Sequence, residues 1–199
     1  VHLEHVPADF DLGRRRARAA ALLMFGLPGS SYVYEGEELG LPEVEDIPAE
    51  ALQDPVWTMS GNTDKGRDGC RVPLPWTSAG HDYGFSPEGG AEPWLPQPKE
   101  WAALAADVQD GTPGSTLELY RAALKLRRGL SQLGDGVLEW LDAPEGVLAY
   151  RRPGEGGGFQ SWTNFGPDPV ALPAGERLLA SGDLVNGQLP ADTTAWLRV

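Results

Sequence analysis

The sequence is short of several things, and each shortage excludes something. A single cysteine, Cys70, stands among 199 residues, so no intramolecular disulfide forms, which fits a reducing cytoplasm. Basic residues are few: 16 Lys and Arg against 29 Asp and Glu, a formal net charge of −13. That excludes nucleic acid as a partner, because phosphate binding needs a basic surface. No run nears the ~18 apolar residues of a membrane span, so no membrane partner is expected. The longest apolar stretch, Ala19 to Leu27, follows Arg14, Arg15, Arg16 and Arg18 and reads as a buried helix rather than a leader. Histidine is scarce too, with only His2, His5 and His81, and none stands in a recognisable pattern with Cys70, which reads as a plain thiol. His2 and His5 have an i, i+3 spacing able to touch a metal, but neither a metal nor another cofactor is expected. Val1 to Phe10 shows no stable period and no initiator methionine, so the chain is expected to be processed or part of a longer frame.

What is present points to a turn-rich fold with a core: 26 glycines, 18 prolines and 41% hydrophobic residues. Asp11 is a plausible N-cap for a helix running to about Gly26, with Ala17, Ala20, Ala21, Met24 and Phe25 as its packed face and Pro28-Gly29 as its stop. Ser31 to Tyr34, rich in β-formers, is expected as a short strand. Helix, tight turn, strand and carboxylates follow the rhythm of a parallel sheet or barrel. Leu41 to Gly114 is irregular and proline-studded. It holds Trp57, Trp76, Tyr83, Phe85, Trp94 and Trp101, which argues for an ordered loop excursion rather than disorder. Ser31 to Thr112 contains 16 acidic and 4 basic residues, so nearly all the net charge lies there.

Trp101, Leu104, Ala105 and Val108 predict a short helix. A second begins at Ser115, in capping-box spacing with Glu118, and runs from Thr116 to about Arg128. Its apolar stripe is Leu117, Tyr120 and Leu124, and Arg121, Lys125, Arg127 and Arg128 form its wet face. From Gly136 the period shortens to strands at 137–141, 147–152, 159–164, 176–180 and 194–199, the pattern of a small antiparallel sandwich. The boundary falls between residues 1–134 and 135–199.

Two motifs carry chemistry. Glu35, Glu37 and Glu38 follow the expected strand, where a barrel places its site. Glycoside cleavage uses paired carboxyls, but these three equally suit capping a turn or accepting backbone N–H bonds. In Gly66-Arg67-Asp68-Gly69-Cys70-Arg71-Val72-Pro73, two arginines and an aspartate are suited to gripping hydroxyls. They are equally suited to an Arg–Asp pair that orders the loop. Trp57, Trp94 and Trp101 stand as sugar platforms or as core.

The runs from Arg14 to Leu23, Leu27-Pro28-Gly29, Tyr34 to Pro42, Arg67 to Trp76 and Glu92 to Pro98 occur together and in order. In this the chain resembles bacterial α-glucosidases of the α-amylase superfamily, with the likeness extending from about Asp11 to Val199. The resemblance implies an α/β plus all-β fold. It is the C-terminal end of a (β/α)8 barrel, with a long loop excursion, followed by a small antiparallel β domain. It implies hydrolysis, with retention, of terminal α-glucosidic bonds of short oligosaccharides. The family's three catalytic carboxylates lie on the fourth, fifth and seventh strands, the last in an Asn-His-Asp motif that this sequence lacks. No catalytic residue is therefore expected here, and the chain alone is expected to be inactive. Family members usually carry Gln where Glu35 stands. By the same resemblance Arg67, Asp68 and Arg71 are the substrate-binding residues. A non-catalytic carbohydrate- or partner-binding module, or part of a transglucosylase or isomerase such as trehalose synthase or sucrose isomerase, are the alternatives.

Overall fold

The computed structural model describes residues 9–154 and 157–199; His2 and His5 lie outside them. The described residues form two compact units, one of those up to 32 together with those from 119 onward, the other of residues 33–118. The division lies inside the helix Thr116–Gly129.

In the first unit, helix α1 (Phe10–Gly26) starts one turn of logic earlier than Asp11. Asp9 is the cap, its Oδ1 accepting the Leu12 N–H at 2.9 Å. The buried face is Ala19, Ala21, Leu22, Phe25 and Gly26, whereas Ala17 and Ala20 are exposed. A run of alanines carries little periodic signal, and the partner surface selects the face. Helix α4 (Thr116–Gly129) contributes Tyr120 and Ala123 to the same core. Ser115 Oγ accepts the Glu118 N–H at 3.2 Å, as its capping spacing requires.

Seven strands follow: β1 (Glu139–Trp140), β2 (Val147–Arg152), β3 (Phe159–Asn164), β4 (Val170–Ala171), β5 (Glu176–Ala180), β6 (Gln188–Leu189) and β7 (Thr193–Arg198). Five make an antiparallel sheet in the order β1-β2-β3-β7-β5, while β4 and β6 pair separately. Strands β4 and β6, only two residues each, are too short to leave an alternation in the sequence. Strand β7 is buried on both faces from Thr193 to Leu197. Asn164 links β3 to β6, its Nδ2 donating to Leu189 O at 3.1 Å and to Asp168 O at 2.8 Å.

The sheet grips α1 through polar atoms. Thr194 Oγ1 donates to Ala19 O at 2.8 Å, Trp196 Nε1 to Leu22 O at 3.1 Å, Tyr150 Oη to Leu23 O at 2.8 Å and Arg152 Nη1 to Gly26 O at 3.2 Å. These carbonyls recur at helical spacing, so they line one side of α1. Arg152 is fully buried, and its described hydrogen bonds go to backbone carbonyls. Its remaining donors reach Val137 O and Gly134 O, and burial lowers its pKa. Arg127, expected on the wet face of α4, is half-buried and turns to the end of α1. It donates to the carbonyls of Phe25, Leu27 and Gly29, groups a helix end leaves without intrahelical partners.

Ser31–Tyr34 is the clearest departure from expectation, for it belongs to no strand. A strand exists by its ladder, and no described segment pairs with this one. Tyr32 is 82% exposed. No helix of the described residues is long and apolar enough to cross a membrane.

The close approach of α1 to the sheet depends on Gly26, where an added Cβ would lie 2.2 Å from Tyr150 Oη. Gly26→Ala is expected to destabilise the first unit by about 1–3 kcal/mol through overpacking, and Tyr150→Phe by about 1 kcal/mol through the lost bond to Leu23. Urea melts followed by tryptophan fluorescence would measure both. Burial pushes the Tyr150 phenol up to about 12. The stability that it confers by staying protonated is complete below the ordinary tyrosine value near 10, and is lost as pH rises from there through 12. Alkaline unfolding should begin in that window and shift in Tyr150→Phe.

Candidate functional site

The second unit, residues 33–118, contains little regular structure: short 3-10 turns, α2 (Pro55–Met59) and α3 (Ala106–Gln109). Its core is Val44, Ile47, Val72, Leu95 and Trp101. Trp101 is therefore packing rather than a platform, and its helix is a 3-10 turn over Lys99–Leu104 followed by α3. Buried Gln109 holds four backbone groups, donating to Leu39 O and Leu104 O and accepting from the N–H groups of Thr116 and Leu117.

Among the glutamates, Glu38 Oε2 accepts the Gly36 N–H at 3.0 Å, and Glu37–Leu39 form a 3-10 turn. Gly36 and Gly40 flank it at φ 93° and 68°, values that favour glycine. Glu38 thus braces the turn, while Glu35 and Glu37 are exposed.

A carboxylate–arginine network holds the 54–71 loop. Asp54 stands before Pro55 as the cap of α2, and its Oδ1 accepts the Val56 N–H at 2.9 Å. Its Oδ2 takes the Arg67 N–H at 2.9 Å and Arg71 Nη2 at 2.6 Å. The same Nη2 reaches Asp68 Oδ1 at 2.7 Å, and Asp68 Oδ2 accepts the N–H groups of Gln53 and Asp54 at 2.6 and 2.8 Å. Asp68 is 1% exposed. Two glycines admit this packing. At Gly66, with φ of 66°, a Cβ would fall 2.4 Å from the Asp54 carboxyl carbon, and at Gly69 it would fall 2.6 Å from Val44 O.

The three residues expected to bind substrate thus take different places. Asp68 and Arg71 lie together at a pocket of about 580 Å³. Asp68 has both oxygens occupied by the loop, and Arg71 lends it one guanidinium nitrogen. Arg67 does not line the pocket. Its carbonyl accepts from Arg71 Nε and Cys70 Sγ. Separately, the Cys70 side chain beside its guanidinium raises the pKa of that group. Cys70 also lies 3.8 Å from Tyr34 Oη. Phe85, Ser86, Glu92, Pro93 and Trp94 also line the pocket. Trp94 is 81% exposed and Phe85 51%. Trp57 is half-buried and outside the pocket. The sequence reading passed over Asp54, although an Asp-Pro start to a helix is a legible capping signal.

Against this geometry, the family model of the α-amylase catalytic domain matches residues 7–136. The chain belongs to the α-amylase family. The protein named "Probable alpha-glucosidase" of Rhizobium meliloti (strain 1021) is 39% identical over 136 residues, which cover 68% of this chain and 24% of that protein. "Probable oligo-1,6-glucosidase 3" of Bacillus subtilis (strain 168) is 29% identical, covering 71% and 28%. Among solved structures, the α-glucosyl transfer enzyme XgtA superposes with a TM-score of 0.75 at 36% identity, over 93% of this chain and 36% of that one. Trehalulose synthase MutB from Pseudomonas mesoacidophila MX-45 shares the fold, with a TM-score of 0.75 at 20% identity, over 92% and 38%. The chain spans about a quarter of the length of these two curated relatives.

Asp68→Asn replaces a buried acceptor that serves two backbone N–H groups and a guanidinium. It is expected to loosen the 53–71 loop, raising amide exchange at Gln53 and Asp54 about tenfold or more. The Asp54 carboxyl is held below its ordinary value of 3.8 by the Val56 and Arg67 N–H groups, outweighing its partial burial, with Arg71 adding to the effect. Its contribution is complete above that ordinary value and disappears as pH falls through the lowered one. Proteolysis of this loop should therefore accelerate only below about pH 3.8, and Asp54→Asn should abolish that acid step.

Proposed function

We propose that the chain works as the C-terminal portion of an α-glucosidase that hydrolyses terminal α-glucosidic bonds of short oligosaccharides with retention, the catalytic carboxylates lying upstream of these 199 residues. In this reading residues 1–134 complete a (β/α)8 barrel and residues 135–199 form its antiparallel β domain, in a cytoplasmic enzyme. The observation that carries it is the pocket lined by both Arg71, fixed by Asp68, and the exposed Trp94. A cation that donates to hydroxyls in one pocket with an aromatic ring suits a sugar. The relatives named for α-glucosidase and oligo-1,6-glucosidase activity support the choice of bond. Arg67 acts from behind, through the loop that seats Arg71.

A second reading rests on the likeness to XgtA, an α-glucosyl transfer enzyme: the glucosyl group passes to a sugar acceptor instead of water. Chromatography of products made by the whole enzyme from maltose separates the two, since hydrolysis yields glucose alone and transfer yields longer or isomeric saccharides.

The 199-residue chain alone is expected to release no p-nitrophenol from p-nitrophenyl α-glucoside, and turnover by it would overturn the placement of the carboxylates. In the whole enzyme, Trp94→Ala is expected to raise the KM for maltose or isomaltose about tenfold, which is roughly 1.4 kcal/mol. An unchanged KM would remove this pocket from substrate binding.

A further inference from the structure

A second cluster borders the pocket, and the sugar-binding reading makes no use of it. The segment Gly80–Gly84 is backbone-strained. Asp82 and Tyr83 have φ of 49° and 47°, between Gly80 at 96° and Gly84 at 74°. Strain of this kind in residues with side chains collects at ligand clamps. It brings the side chain of Asp82 inward, to 6% exposure, and sets its Oδ2 2.9 Å from Nε2 of His81. Both atoms are buried, and neither makes a hydrogen bond among the described residues although they stand at ion-pair distance. A cation held by the Nε2 and Oδ2 lone pairs is one way to satisfy both, with a protonated His81 as the other. A separation of 2.9 Å is near the spacing of neighbouring donors around an ion with bonds of about 2.0–2.2 Å.

Glu92 supplies the third arm. One donor atom from each of His81, Asp82 and Glu92 falls within 4.8 Å of the other two. The Glu92 side chain is 83% exposed.

We infer that His81, Asp82 and Glu92 form a binding site for a divalent transition-metal ion. One imidazole and two carboxylates suit zinc or manganese better than calcium, which prefers six or more oxygens. Because Glu92 also lines the pocket, the ion pins the 81–92 segment and fixes the wall that carries Phe85 and Trp94. The site holds a structural ion and takes no part in bond cleavage.

The test is calorimetric titration of zinc chloride, and separately manganese chloride, into the 199-residue chain. One ion per chain is expected. His81→Ala should weaken binding about tenfold or more, as loss of a ligand does. Glu92→Gln, at an exposed position that leaves the fold intact, should weaken it severalfold. His2→Ala/His5→Ala, which removes the other histidines, should leave the affinity unchanged. Wild-type affinity in His81→Ala, or loss of binding in His2→Ala/His5→Ala, overturns the assignment. If His81→Ala fails to fold by circular dichroism, Glu92→Gln decides: weakened binding supports the site, and unchanged binding refutes it. Absence of any zinc or manganese binding to the wild-type chain refutes it outright.

Discussion

The architecture of the first unit depends on how a polar helix face meets a sheet. Helix α1 brings Ala19, Leu22 and Phe25 to the sheet together with the carbonyls of residues 19, 22, 23 and 26, each of which accepts a side-chain bond from β2 or β7. Hydrophobic burial has no direction. These bonds fix the rotation and depth of α1, at about 0.5–1.5 kcal/mol each. They also explain why Thr194, Trp196, Tyr150 and Arg152 are fully buried despite their polar atoms. Gly26 and the small Ala19 let the helix come close enough for the bonds to form, and Arg127 closes its end.

The second unit solves a different problem. With little regular structure, its backbone N–H groups need partners from side chains. Asp54, Asp68 and Gln109 supply them. Arg71 bonds both carboxylates through one nitrogen, so this loop of the most acidic part of the chain is held by one of its few cations. That division of labour shapes the pocket. Asp68 is committed to the loop, Arg71 is anchored to it, and the exposed rings of Phe85 and Trp94 line the same pocket. Arg67, named with them from the sequence, contributes its backbone and a cation beside Cys70 rather than a pocket surface.

Much of this was legible in residue order. Strands β2, β3 and β5 fall on the segments that the shortened period and the regularly spaced turns predict, and α4 on its capping box. The misreadings share one cause. Asp9 rather than Asp11 caps α1, and two aspartates two residues apart carry the same local signal. Ala17 and Ala20 were placed inward because alanine is compatible with either face. Arg127 was placed in solvent because its position on α4 says nothing about the carbonyls of a helix about a hundred residues away. Ser31–Tyr34 has strand composition but no ladder partner among the described residues. Trp101 and Trp94 look alike as sequence, yet one is core and the other is exposed.

The sequence by itself determined the family, through ordered motifs, and the local elements, through periodicity and capping. It also confined the negative charge to the loop-rich half. Only the tertiary structure decided which of the charged residues of the loop line the pocket and which hold the backbone. It alone set Asp82 and His81 side by side in a strained turn with Glu92 near. Local signals act over a few residues, whereas hydrogen-bond satisfaction and burial are settled between segments far apart in the chain.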